Sequence, residues 1–176
     1  MVKIYKFFAY MLFFLFAVIL FFPKSNLYYL GEKELKNYKV YISNESVNEK
    51  LFGLELKQAS LSYEGIEVAK IKQADILFLL VYGSVDLKNI ELSSLVESYI
   101  PKRIDSCHIS YSVIEPLTPQ AIVKGSFGEI DAHYNLKTRK VYLLLKPSKL
   151  MLQEYRNSLQ YFKKLKNGEY SYEKSL

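Results

Sequence analysis

Residues Phe7 to Phe22 read FFAYMLFFLFAVILFF, an unbroken apolar run whose one strong hydrogen-bonding side-chain group is the Tyr10 hydroxyl. As a helix the run has no polar face with which to border a soluble core. It covers about 24 Å at 1.5 Å per residue, and Ile4 and Tyr5 extend it toward the ~30 Å hydrocarbon thickness of a bilayer. Phe7, Phe8, Phe13, Phe14, Phe16, Phe21 and Phe22 supply most of the bulk that such a bilayer would take up. Lys6 can snorkel to the headgroups on one side, while Pro23 ends the run and Lys24 follows on the other. The expectation is an N-terminal transmembrane helix over residues 1–23.

A cleaved signal peptide is the competing reading, since Lys3 and Lys6 form a positive n-region ahead of an apolar h-region. The run is long for an h-region, and Leu20-Phe21-Phe22-Pro23-Lys24-Ser25 contains no small-x-small cleavage site, so the segment reads as an uncleaved signal-anchor. Flanking charge does not choose the sidedness, because Lys24, Lys33, Lys36 and Lys39 follow the helix. The signal-sequence layout favours the amino terminus inside and the long downstream part translocated. In a bacterium that means a single-pass inner-membrane protein with its C-terminal domain in the periplasm.

The chain has 176 residues, so 153 remain after residue 23. A unit of that size buries roughly two-thirds of its unfolded surface and needs no disulfide or structural metal to fold. The 16 tyrosines and 11 phenylalanines suit half-buried strand surfaces and lean the composition toward β structure. The net charge of +6 includes Lys3 and Lys6, and most of the rest falls in residues 149–176. With no arginine-rich or basic-aromatic stripe, nucleic-acid binding is not expected, whereas membrane lipids are natural partners. Cys107 is the one cysteine, so it can make neither an internal disulfide nor a zinc site unaided, and it reads as a small core residue.

Beyond the anchor, Leu27, Leu30 and Leu35 with Tyr28 and Tyr38 share a helical face, predicting a juxtamembrane helix over 24–38 capped by Ser25 or Asn26. From residue 39 to 147 the pattern is alternation broken by turns. Leu54 and Leu56 give way to Ala59, Leu61 and Tyr63 with a one-residue phase shift that suggests a bulge or tight connection, and Val85 and Leu87 give way to Ile90 and Leu92 after another phase shift. Glu64-Gly65, Tyr82-Gly83-Ser84 and Lys137-Thr138-Arg139-Lys140 read as turns. In the clearest strand Cys107, Ile109, Tyr111 and Val113 point one way and Ser106, His108, Ser110 and Ser112 the other. Ala121, Val123 and Phe127 suggest another strand, and Ile130 to Leu136 a third. These features predict a mainly β fold with flanking helices, built on a curved antiparallel meander. Leu152, Tyr155, Leu159, Phe162 and Leu165 recur at helical spacing after the Ser148 cap, predicting a C-terminal amphipathic helix within 148–176, with Tyr170 and Tyr172 in an ambiguous tail.

Chemistry is hard to find. His108 and His133 fall on polar strand faces, where surface histidines are ordinary, and a metal site would need further ligands. No Gly-x-Ser-x-Gly elbow accompanies Ser110, and Gly125-Ser126-Phe127-Gly128 lacks the spacing of a phosphate loop. No catalytic residue, metal ligand or cofactor is therefore expected, and the chain reads as non-enzymatic. The sharper possibility is an apolar groove for acyl chains, with Tyr63, Phe78, Tyr111, Phe127 and Tyr134 as candidate lining; the plain alternative is that these side chains are core.

Phe22-Pro23-Lys24-Ser25-Asn26-Leu27-Tyr28-Tyr29 after a single anchor, and the strand pattern LFGLELKQASLSYEGIEVAKIKQADI from Leu51 to Ile76, resemble type II secretion system protein N (GspN)-like proteins and the wider AsmA-like group of bacterial envelope proteins. The resemblance implies an accessory of type II secretion or envelope assembly, with secretion-system or envelope proteins as partners and no catalytic residues. The alternative is a lipid-binding or lipid-transfer module using the apolar groove. The chain is short for that group, and extended strands reach only ~3.3 Å per residue, which sets a limit on any bridging between membranes.

Overall fold

The computed structural model describes residues 2–97 and 99–175. Helix α1 (Val2–Phe21) carries the apolar run and is long and apolar enough to cross a membrane. Its side chains from Ile4 to Phe16 are exposed, and only Ala17 to Leu20 are half-covered. A helix whose large apolar residues face outward on all sides needs an apolar medium around it, and a bilayer supplies one.

Pro23 breaks the chain, and α2 (Lys24–Asn37) follows. Neither Ser25 nor Asn26 caps it: Pro23 occupies the N-cap position without a side-chain cap bond, and Ser25 is instead held by Glu49. Lys24 is buried and donates from Nζ to the Leu20 and Phe22 carbonyls, both at 3.1 Å. Its cation thereby satisfies orphan carbonyls at the end of α1, where the helix dipole also favours positive charge.

The rest is one open antiparallel sheet. Strands β1 (Val40–Ser43) and β2 (Ser46–Lys50) lie end to end along the same side of β3 (Gly53–Tyr63). From there β4 (Ile66–Phe78), β5 (Tyr82–Leu92), β6 (Arg103–Ser112), β7 (Gln120–Gly125), β8 (Gly128–Asn135) and β9 (Lys140–Pro147) follow one another as neighbours. A short helix, α3 (Ser94–Glu97), sits between β5 and β6.

Beyond β9 the predicted long amphipathic helix is replaced by α4 (Lys149–Gln153) and a 3-10 turn (Arg156–Tyr161). Ser148 caps α4 through its hydroxyl, which accepts from Met151 N at 3.2 Å. Within the 3-10 turn Ser158 Oγ donates to the Tyr99 carbonyl at 2.6 Å, and Leu159 is buried. The tail becomes a strand. β10 (Lys163–Lys164) and β11 (Tyr170–Ser175) join the sheet, with β11 beside β9. Phe127, expected within a strand, lies instead in the β7–β8 turn. There Gly128 has φ +116°, and an added Cβ would meet Lys146 O at 2.1 Å.

The phase changes in β3 and β5 are not the anticipated bulges, because the register runs unshifted from Lys57↔Gln73 to Ala59↔Ile71 and from Lys88↔Ser106 to Ile90↔Ile104. Each of β3 to β6 has two successive polar residues between apolar ones: Lys57-Gln58, Lys72-Gln73, Lys88-Asn89 and Asp105-Ser106. The register places Gln58, Lys72, Asn89 and Asp105 in one transverse row, bounded by the pairs Ala59↔Ile71, Ile71↔Ile90 and Ile90↔Ile104. Gln58 (φ 59°) and Asn89 (φ 52°) adopt left-handed backbone. Because the paired strands change phase together, Ile71 packs against the same buried cluster as Ala74, and the apolar side of the sheet continues across the crease.

Candidate functional site

Directly opposed residues share a face of a sheet, so the register sorts the side chains. One row runs Leu56, Ala74, Leu87, Cys107, Val123, Ile130, Leu145 and Tyr170. The next runs Leu54, Ile76, Val85, Ile109, Ala121, Ala132, Leu143 and Tyr172. This apolar face has two cores, one toward each side of the sheet. Tyr28 of α2 packs with Leu54, Leu56 and Ala74; Met151 and Leu159 pack with Phe127 and Leu145. Between the cores, on β5 to β8, no residue of these two rows is fully buried, and Ile109 remains 39 % exposed. The face is apolar throughout but closed by helices only at its sides.

The five groove candidates divide on this frame. Phe78 and Tyr111 both oppose Gly83. Tyr134 donates its backbone N–H to the Pro119 carbonyl at 3.0 Å, at the same end of the sheet. The three therefore gather in the half-covered region, with Tyr111 exposed and the other two half-buried. Phe127 is fully buried in the C-terminal core, and Tyr63 lies at the opposite strand ends, paired with Val40 and Ile66. Sequence periodicity alone missed Cys107, Ile109, Val123 and Ala132 as the floor of this region, because residues on different strands align only once the register is known.

Cys107 sits within that floor, between Leu87 and Val123. Burial pushes its thiol above the ordinary value, and the Asp86 carboxylate adds to the shift. Such a thiol is protonated and weakly nucleophilic near neutral pH.

The other face is polar and carries rows of charge. Lys50 pairs with Asp75 at 2.6 Å, Lys146 with Asp131 at 3.1 Å, and Lys124 with Glu129 at 3.0 Å. The lysine contacts hold the Asp75 and Glu129 carboxyls below their usual range. His108 Nδ1 lies 2.6 Å from Asp86 Oδ1 on this face. His133 is exposed, opposite Gln120 and Tyr142, and β7 separates the two histidine-bearing strands. Among the described residues no group of three or more His, Cys, Asp or Glu side chains is placed to hold a metal ion.

Two clefts border these faces. A polar one of about 320 Å³ follows the crease, lined by Gln58, Lys70, Lys72, Asn89, Glu91 and Arg103 among others. A smaller apolar one of about 190 Å³ lies where Val18 and Ile19 of α1 and the following Phe22 meet Leu27, Phe78, Leu79 and Leu80. The half-covered face therefore ends, at Phe78, beside α1. The chain matches no protein-family model, no curated protein and no solved structure.

Proposed function

We propose that this chain is a membrane-tethered, non-enzymatic module that takes lipid acyl chains on the half-covered apolar face of its sheet. The observation that carries the reading is the run of apolar rows across β5 to β8, open between two helix-packed cores and ending beside α1. Burying an acyl chain there would remove both the chain and the floor from water, at roughly 25 cal/mol per Å² of apolar area. Curvature of the sheet around the chain would increase that area. The sheet lies on the periplasmic side of a bacterial inner membrane in this reading.

Ile109 and Ile122 provide a matched test. They lie on adjacent strands and each is 39 % exposed, but Ile109 belongs to the apolar face and Ile122, opposite His108, to the polar one. Native mass spectrometry of the full chain released from lipid nanodiscs should show fewer retained lipids for Ile109→Lys than for Ile122→Lys. Equal retention in the two variants would sink the reading.

The second reading is an accessory of type II secretion or envelope assembly, as the GspN-like resemblance implies. The open sheet edges favour it. β10 pairs only with Tyr170 and Ser171, which leaves the outer side of Tyr172 to Ser175 for an added strand. Cross-linking from that edge to envelope proteins in cells, lost when a proline replaces Glu173, would support it; an edge that captures nothing would count against it.

A further inference from the structure

We propose that the strand ends bearing the β4–β5 and β6–β7 loops rest on the bilayer that holds α1, forming an apolar rim inserted into its interfacial layer. This inference rests on reading α1 as a retained membrane anchor, and it concerns a surface separate from the acyl-chain face.

The rim begins at the anchor itself. Leu79 and Leu80, in the β4–β5 loop, border the cleft formed with Val18, Ile19 and Phe22. That contact sets the loop at the level where the apolar run ends and Pro23 and Lys24 leave it. From there the rim is continuous through backbone hydrogen bonds. Val113 N donates to Val81 O at 3.0 Å, joining the β6–β7 loop to the β4–β5 loop. Leu136 N donates to Leu117 O at 2.9 Å, joining the β8–β9 turn to the β6–β7 loop.

What these loops expose is unusual for water-facing turns. Leu80 is 53 % exposed, Val81 61 % and Ile114 87 %, and Leu117 and Leu136 are also exposed. Turns in water are ordinarily built from Gly, Asn, Asp, Ser and Pro, because those residues satisfy turn geometry and solvate well. The β3–β4 turn at the opposite ends follows that habit, with Glu64 and Gly65 at its tip. A contiguous exposed apolar patch marks an interaction surface, and here the chain itself holds that patch against a membrane helix. Charge agrees with the assignment. Lys137, Arg139 and Lys140 follow Leu136, placed to meet anionic headgroups, and Glu115 is the one acid within the β6–β7 loop. Tyr111 and Tyr82 lie just behind the loops, where amphipathic rings favour the headgroup level.

The chain contains no tryptophan, so a single introduced tryptophan reports its own surroundings. The test uses the full chain in nanodiscs of mixed zwitterionic and anionic lipid, with and without brominated acyl chains. Ile114→Trp is the principal variant, and Leu80→Trp serves if that variant fails to fold. Phe14→Trp within α1 reports the anchor, and Ile66→Trp reports the opposite strand ends. The expected result is blue-shifted emission that loses intensity with brominated lipid for Phe14→Trp and for the rim variant, with water-like, unquenched emission for Ile66→Trp. Quenching at Phe14→Trp with red, unquenched emission at the rim overturns the rim and leaves the anchor standing. A blue-shifted but unquenched rim also overturns it, since the surface then faces protein. Unquenched Phe14→Trp overturns the anchor reading, and the rim proposal with it.

Discussion

Glu49 on β2 accepts two hydrogen bonds from Ser25 on α2, one from the backbone N–H at 2.8 Å and one from the hydroxyl at 2.5 Å. The carboxylate does what a local N-cap would otherwise do, satisfying an orphan donor in the first turn of α2. It does so from the sheet, so the same contact that ends the helix's need for a cap also docks the helix. With Lys24 holding the end of α1, this pair ties α1, α2 and the sheet edge within two residues of chain.

The pair predicts an acid-sensitive joint. The hydroxyl bond from Ser25, then its backbone bond, holds the Glu49 carboxyl below its ordinary 4.5. A carboxyl depressed in the folded state contributes stability that is fully present above the unfolded value and is lost as pH falls through the folded one. Melting temperature measured in a nonionic micelle from about pH 6 down to about pH 3 should therefore fall less steeply in Glu49→Gln than in the parent chain. Asp75 and Glu129 are depressed too and remain in both proteins, so only the difference between the curves reports Glu49. Parallel curves would remove the joint.

Two glycines predict opposite signs. Gly31 lies inside α2 with nothing within 4 Å of an added Cβ, so Gly31→Ala should stabilise the chain by about 0.5–1 kcal/mol through helix propensity. At Gly53 the added Cβ would stand 1.9 Å from Ile76 O, backbone that cannot yield without parting β3 from β4. Gly53→Ala should destabilise by several-fold more than Gly31→Ala stabilises. Urea midpoints of the two variants would check this, and a tolerated Gly53→Ala would mean the β3–β4 register differs.

The two helix-packed cores predict where truncation costs most. Leu54 is fully buried beneath Tyr28, and Leu145 is buried beside Phe127. Leu54→Ala and Leu145→Ala should each cost about 2–5 kcal/mol. Tyr111→Ala removes a larger side chain, yet at 43 % exposure it loses few protein contacts and should cost under about 1 kcal/mol without lipid. Denaturant titrations of the lipid-free chain would measure all three, and a large loss at Tyr111 would mean the central face is closed.

Much of this was legible in the chain. The apolar run announces α1, because sixteen residues without a polar face make a helix long and apolar enough to cross a membrane. The Glu64-Gly65 turn and the Ser148 cap are local chemistry, and both form as their residue types demand. The phase changes at Gln58 and Asn89 are visible in each strand, but their alignment into one crease appears only through pairing. Contacts distant in sequence stayed hidden. Tyr170 and Tyr172 become strand because Leu145 and Leu143 offer a free edge, and past the short α4 Ser158 reaches Tyr99, 59 residues away. Phe78, Tyr111 and Tyr134 carry no shared spacing, so their gathering at one end of the sheet required the register.

The crease makes its own prediction, at Gln58. Its φ of 59° is left-handed, a conformation that costs an L-residue about 1–2 kcal/mol and a β-branched one the most. Its side chain is exposed, so backbone conformation dominates any substitution there. Gln58→Val should lower stability by about 1–2 kcal/mol despite valine's general preference for strands. Gln58→Gly should leave stability unchanged or raise it by up to about 1 kcal/mol, because glycine's added unfolded-state entropy offsets part of the relieved strain. The usual strand ranking would place these two variants in the reverse order. Urea unfolding of both, compared with the parent chain, decides the matter: valine above glycine would mean that β3 runs straight and the apolar side of the sheet does not continue past Leu56.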